Sequence, residues 1–146
     1  MILPDVNVLV YAHRKDSPDH VLYRHWLERI LASNEPYGLS DHTLSGFLRI
    51  VTHPRIFVTP SPIRAALEFA REVRSHPNCQ LIGPGSRHWS IFTGLCESVL
   101  ATGNLIPDAW FAALAIEAGC EWITTDRDYK RFAGLRWRHP ITGQSS

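Results

Sequence analysis

The chain has 146 residues, 15 Lys and Arg against 14 Asp and Glu, and a formal net charge of +1. This length favours one domain around one core, and 45% hydrophobic with 20% charged residues excludes a disordered chain. Near-neutral charge excludes a strong global field for nucleic acid, so any basic surface must be local.

Residues 2–5 read as a short buried strand, and Asp5 to Ala12 is apolar enough to begin a helix. Val21, Leu22, Trp26, Leu27, Ile30 and Leu31 recur near a 3.6-residue period, which predicts a helix over 18–32. Leu39-Ser-Asp41 leads into a helix with Leu44, Phe47, Leu48 and Val51 on one face, and Ser40 or Asp41 can cap it. Pro62 suits the first turn of a helix over 62–75. A short strand over 79–82 and a helix over about 87–101 follow. Pro107 and Asp108 open the most apolar helix, which Gly119 stops after Ala118. Residues 121–125 read as a strand, 128–132 as a short helix and 136–138 as a last edge strand. Residues 1–140 make one domain and 141–146 a flexible tail. Helices alternating with short apolar strands predict a three-layer α/β/α fold with a small, mainly parallel central sheet.

Cys79, Cys96 and Cys120 are odd in number and form no C-x-x-C pair, which argues against a disulfide framework or a zinc site. They read as reduced, mostly buried thiols, consistent with a cytoplasmic protein. No apolar run reaches the roughly 18 residues of a membrane span, and the N-terminus does not resemble a signal peptide.

Three acids carry the chemistry. Asp5 and Asp126 end predicted strands, and Asp108 sits in a first helical turn. Ligand sites in open parallel sheets form outside the carboxyl ends of the strands. Carboxylates gathered there repel one another and raise each other's pKa, a penalty that a divalent cation removes. All-oxygen ligands favour Mg²⁺ or Mn²⁺, and such a site can activate water and stabilise charge on a phosphodiester. Each acid also has a plainer reading: Asp108 as a helix-dipole partner, Asp126 and Asp128 as turn or capping residues. Asp5 resists this, because burying a bare carboxylate after an apolar strand is costly. The eight His form no metal motif. Trp26, Trp89 and Trp110 fall on apolar helical faces and read as core; Trp137 reads as covering the core from an edge strand. Arg49 and Arg55 are candidates either for RNA phosphates or for ordinary surface charges.

The segments Leu3-Pro-Asp-Val-Asn-Val-Leu-Val10, Ile106-Pro-Asp-Ala-Trp-Phe-Ala-Ala-Leu-Ala115 and Ile123-Thr-Thr-Asp-Arg-Asp-Tyr129, in this order and spacing, resemble the PIN-domain family and, within it, the VapC toxins. Gly46-Phe-Leu-Arg-Ile-Val-Thr-His-Pro-Arg-Ile-Phe57 is similar to a stretch of a subgroup rich in mycobacterial members. The resemblance implies a PIN-like fold and a Mg²⁺- or Mn²⁺-dependent endoribonuclease toxin. It would cut tRNA or ribosomal RNA and be neutralised by a small VapB-type antitoxin, with a homodimer expected. It matches Asp5, Asp108 and Asp126 to the family's three aspartates, Asp128 to a frequently acidic neighbour and Asn7 to the polar residue after the first acid. Asp5 and Asp108 then read as direct metal ligands, Asp126 as completing the site or orienting a metal-bound water, and Asn7, Thr125 and Asp128 as orienting them. The family places a Glu where Gly46 stands here, which leaves Asp41 as a possible substitute ligand. The alternative is a PIN-fold module that binds RNA or antitoxin without efficient cutting.

Overall fold

A computed structural model of the chain describes residues 1–145. Among these, five short strands, β1 (Ile2–Pro4), β2 (Tyr37–Leu39), β3 (Cys79–Leu81), β4 (Glu121–Ile123) and β5 (Trp137–Arg138), alternate with six helices. The helices are α1 (Val6–His13), α2 (His20–Ala32), α3 (Asp41–Val51), α4 (Ile63–Arg74), α5 (His88–Val99) and α6 (Leu105–Ala118), and a 3₁₀ turn spans Arg127–Arg131. Strands β1, β4 and β5 hydrogen-bond in that order, β2 pairs with β3, and every pairing is parallel.

The two ladders abut at Gly38. A Cβ there would lie 2.9 Å from Ile82 Cγ1, 3.2 Å from Leu3 Cδ1 and 3.3 Å from the Ile2 carbonyl oxygen. Glycine lets β2 lie against β1, giving the lateral sequence β3-β2-β1-β4-β5. We expect Gly38→Ala to cost about 1–3 kcal/mol, because one neighbour is backbone and cannot rotate away. A lower urea midpoint at unchanged slope would report it; an unchanged midpoint would show that the strands can part freely.

Strand parity sorts the core into two layers. Ile123, Tyr37 and Leu39 pack with α1–α4 on one face. Leu3, Trp122 and Trp137 pack with α5, α6 and the 3₁₀ turn on the other. The α/β/α layering and the small parallel sheet are those expected from the sequence.

Four details differ from that reading. Strand β2 was not expected: three residues with a central glycine are too short to show alternation. Helix α6 starts at Leu105, two residues before Pro107, because a first turn does not use the missing N–H. Trp89 is 71% exposed rather than in the core; it lies one step, about 100°, off the stripe formed by His88, Phe92 and Leu95. The segment expected to be a tail turns back on the domain: the His139 amide donates to the Gln144 carbonyl at 2.8 Å, and Arg138 bridges Ser145 in antiparallel fashion. Ser146 lies outside the described residues. Trp137 is buried as expected, at 3% exposure. Among the described residues no helix is long and apolar enough to cross a membrane, and the three cysteines are free thiols.

Candidate active site

Asp5 stands where β1 gives way to α1. Its backbone N–H donates to the Ile123 carbonyl at 2.8 Å, which extends the β1–β4 ladder by one step. Leu3 pairs with Trp122 and Pro4 with Ile123, so the next register partners are Asp5 and Thr124. Both therefore sit on the face covered by α6. Asp5 caps α1: its Oδ1 accepts from the Val6 N–H at 2.6 Å, and its Oδ2 accepts from the Thr124 hydroxyl at 2.6 Å. The Thr124 hydroxyl in turn accepts from the Asp126 N–H at 3.0 Å. That leaves its single proton for Asp5.

Asp5 is 6% exposed. Burial pushes its carboxyl up from 3.8 to about 6, against the lowering hydrogen bonds from Thr124 and Val6, and the charges of Asp108 and Asp126 push it further. The carboxyl of Asp108, in the first turn of α6, is also raised, first by burial and then by Asp126, while the Tyr129 hydroxyl, donating to its Oδ1 at 3.3 Å, opposes the rise. Tyr129 is buried, and its own phenol is pushed far up by burial and by these acids. Asp126 caps the 3₁₀ turn, its Oδ1 accepting from the Asp128 N–H at 2.8 Å. The three acids thus feel one another at the carboxyl ends of β1 and β4.

The supporting residues differ from those the sequence suggested. The partners of Asp5 are Val6 and Thr124, not Asn7 or Thr125. Asn7 and Thr125 are half-buried, and Asp128 is exposed, with Arg131 3.8 Å away. Tyr129 was passed over, though it ends the quoted Asp-Arg-Asp-Tyr segment. Asp41 does not join the acids: it is exposed and held by Arg74 through contacts of 2.7 and 3.2 Å. Gly46 is a close contact between α3 and α1; a Cβ there would lie 3.1 Å from Val6 Cγ2. Arg49 and Arg55 are exposed at and beyond the end of α3. Arg49 is about 12 Å along the helix from its start beside the carboxyl end of β2, and Arg55 lies past its end.

Among the described residues, no three acidic, His or Cys side chains close around a common point. The donors fit a hard ion nonetheless. They are all oxygen, they repel one another, and Asp5 is buried without a counter-charge. Mg²⁺ is commonly held by one or two carboxylates with water completing its shell, and Asp5 and Asp108 provide such a pair beside Asp126.

The PIN domain family model matches residues 2–135. The chain is 45% identical over 145 residues to ribonuclease VapC43 of Mycobacterium tuberculosis, covering 99% of each chain. It is 41% identical over 140 residues to ribonuclease VapC25 of the same species, covering 96% of this chain and 99% of that one. In fold it is similar to VapBC2 from Rickettsia felis, solved bound to a DNA fragment from their promoter, with TM-score 0.68, 20% identity and coverage of 94% and 98%. It is also similar to VapC20 of Mycobacterium tuberculosis, a Sarcin-Ricin loop cleaving toxin, with TM-score 0.66, 13% identity and coverage of 92% and 98%. A match over nearly the whole length, with the acids at the sheet edge, places the chain in the PIN-domain family, on its VapC branch.

Proposed function

We propose that the protein is the toxin of a toxin–antitoxin pair, an endoribonuclease that cuts structured RNA, tRNA or ribosomal RNA, with Mg²⁺ or Mn²⁺ held by Asp5, Asp108 and Asp126. The observation that carries this is Asp5, a buried carboxylate between two donors that still faces two further acids. A bound divalent ion supplies the positive charge that lets these carboxylates ionise together and that offsets charge developing on a phosphodiester. The chain's own residues set the geometry. Val6 and Thr124 fix Asp5 in one orientation, Thr124 ties it to Asp126, and Tyr129 holds Asp108. Such partners commonly change metal affinity or activity by about 10- to 100-fold.

A VapB-type antitoxin is the proposed protein partner, supported by relatives solved as VapBC assemblies. A groove of about 360 Å³ between α3 and α4, lined by Leu44, Leu48, Leu67 and Arg71 with the Asp41–Arg74 ion pair beside them, offers an apolar floor with a charged rim. Val21 and Leu22 on α2 are also exposed, and these helices serve either an antitoxin segment or a homodimer.

The test is cleavage of bulk tRNA and ribosomal RNA by the pure protein. Cutting is expected with Mg²⁺ or Mn²⁺, none in EDTA, and at least about 100-fold slower cutting by Asp108→Asn. Cleavage indifferent to both EDTA and Asp108→Asn would refute the site. Tight RNA binding by wild type without any cutting would favour the non-cutting module.

A further inference from the structure

We propose that the cavity at the carboxyl ends of β2 and β3 receives one unstacked base of the RNA, with the Trp110 indole as its stacking platform. The proposal rests on the ribonuclease reading above and names how that substrate is held. The cavity is about 420 Å³, within the range of small-ligand sites, and its lining includes Ser40, Asp41, His42, Ile82, Gly83 and Trp110. Ser40 follows β2 and Ile82 follows β3, so the cavity opens on the same sheet edge as the acids.

The indole packs among three rings. The buried His88 ring meets it at 4.7 Å and 61°, with His88 Nε2 3.0 Å from the Trp110 carbonyl oxygen. Phe111 meets it at 5.4 Å and 89°. His42, exposed at the start of α3, lies 4.8 Å from it. A flat ring braced in this way, partly buried against the core and lining the cavity, is a preorganised surface for another ring, and it loses little side-chain freedom on binding. The cavity wall is polar where a base edge would be: the Ser40 hydroxyl accepts from the His42 N–H at 3.2 Å, keeping its own proton for an acceptor. Asp41 presents acceptor oxygens beside it, shared with Arg74.

The separation from the acids fits a neighbouring nucleotide. From β1 to β3 is two strand spacings, roughly 10 Å. Around α6, residues 108 and 110 are about 200° apart on a helix about 10–12 Å thick. Both routes put the cavity roughly 10 Å to one side of Asp108, so the base held there flanks the cut. Structured RNA is read largely through splayed bases stacked on aromatic side chains, and each stack is sequence-tolerant because every base has a π-face.

Two measurements test this. First, wild-type protein is irradiated with ultraviolet light in EDTA with bulk tRNA or ribosomal RNA, and the adducts are mapped by peptide mass. Nucleotide adducts are expected on Trp110 or His42, lost at that site in Trp110→Leu and kept in Trp110→Phe. Adducts confined to other peptides, or no adducts, overturn the proposal. Second, on an RNA that wild type cuts, Trp110→Leu should lower kcat/KM by about 5- to 150-fold, the scale of one base–aromatic stack, with Trp110→Phe recovering most of it. An abasic nucleotide beside the cut should slow wild type equally and leave Trp110→Leu no slower. Wild-type kcat/KM in Trp110→Leu overturns the proposal. If wild type cuts no RNA with either metal, the ribonuclease reading fails separately, and the adduct map still decides the base site.

Discussion

Asp5→Asn is expected to abolish RNA cleavage while making the ion-free protein more stable at neutral pH. The Asp5 carboxyl titrates near 6 in the fold against an ordinary 3.8, mainly because it is buried. The folded state therefore binds this proton more tightly than the unfolded chain, and stability falls as pH rises from about 4 to 6. Above pH 6 the whole penalty is present, roughly 3 kcal/mol for a gap of about two pH units. Asparagine carries no charge to desolvate and still accepts from the Val6 N–H. In EDTA at pH 8 the variant should melt several degrees above wild type, up to about 6–12 °C at the usual conversion for a domain of this size. The gain should vanish below about pH 4. Mg²⁺ should reverse the order, raising the wild-type midpoint by mass action and leaving the variant nearly unmoved. A variant that melts no higher than wild type at pH 8 would show that Asp5 is not under strain.

Thr124→Val should be nearly as damaging, through the opposite route. The Thr124 hydroxyl is the strongest influence holding the Asp5 carboxyl down, and its loss frees Asp5 Oδ2 and the Asp126 N–H together. A hydrogen bond to a charged group is worth about 1.5–3 kcal/mol, so the ion-free protein should lose about that much at pH 8. The Asp5 carboxyl should titrate above 6, moving the acidic limb of the cleavage profile upward by a pH unit or more. Serine at this position keeps the hydroxyl and should restore the profile. A Thr124→Val enzyme with an unshifted profile would separate Asp5 from the pH dependence.

How much of this was legible in the sequence depends on which rule governs each residue. Asp5, Asp108 and Asp126 stood out because a charge at the end of an apolar run is expensive to bury and so needs a reason. Thr124 could not be told from Thr125, because the choice turns on the register between β1 and β4, which is a tertiary fact. Once that register is known, parity puts Thr124 opposite Asp5 and turns Thr125 away. Asp41 looked available because nothing local reveals Arg74, 33 residues later, as its partner. The resemblance put the family's Glu position at Gly46, but the close approach of α3 to Val6 at that residue depends on packing. The same limit hid β2, whose three residues are a strand only because β3 and β1 flank them.

The pairing of β1 with β4 also sets when the protein can become harmful. The hydroxyl that holds Asp5 belongs to a residue 119 positions later, and Asp108 and Asp126 lie in the same last third of the chain. A growing polypeptide carries Asp5 before Asp108 and Asp126 are made, with no strand yet on its β4 side. The ribosome must deliver the chain past Asp126 before the three acids can meet, so a product interrupted earlier lacks the assembled site. Contacts this distant in sequence also form slowly, which leaves an interval after release in which a second protein can reach the newborn chain before its chemistry is assembled.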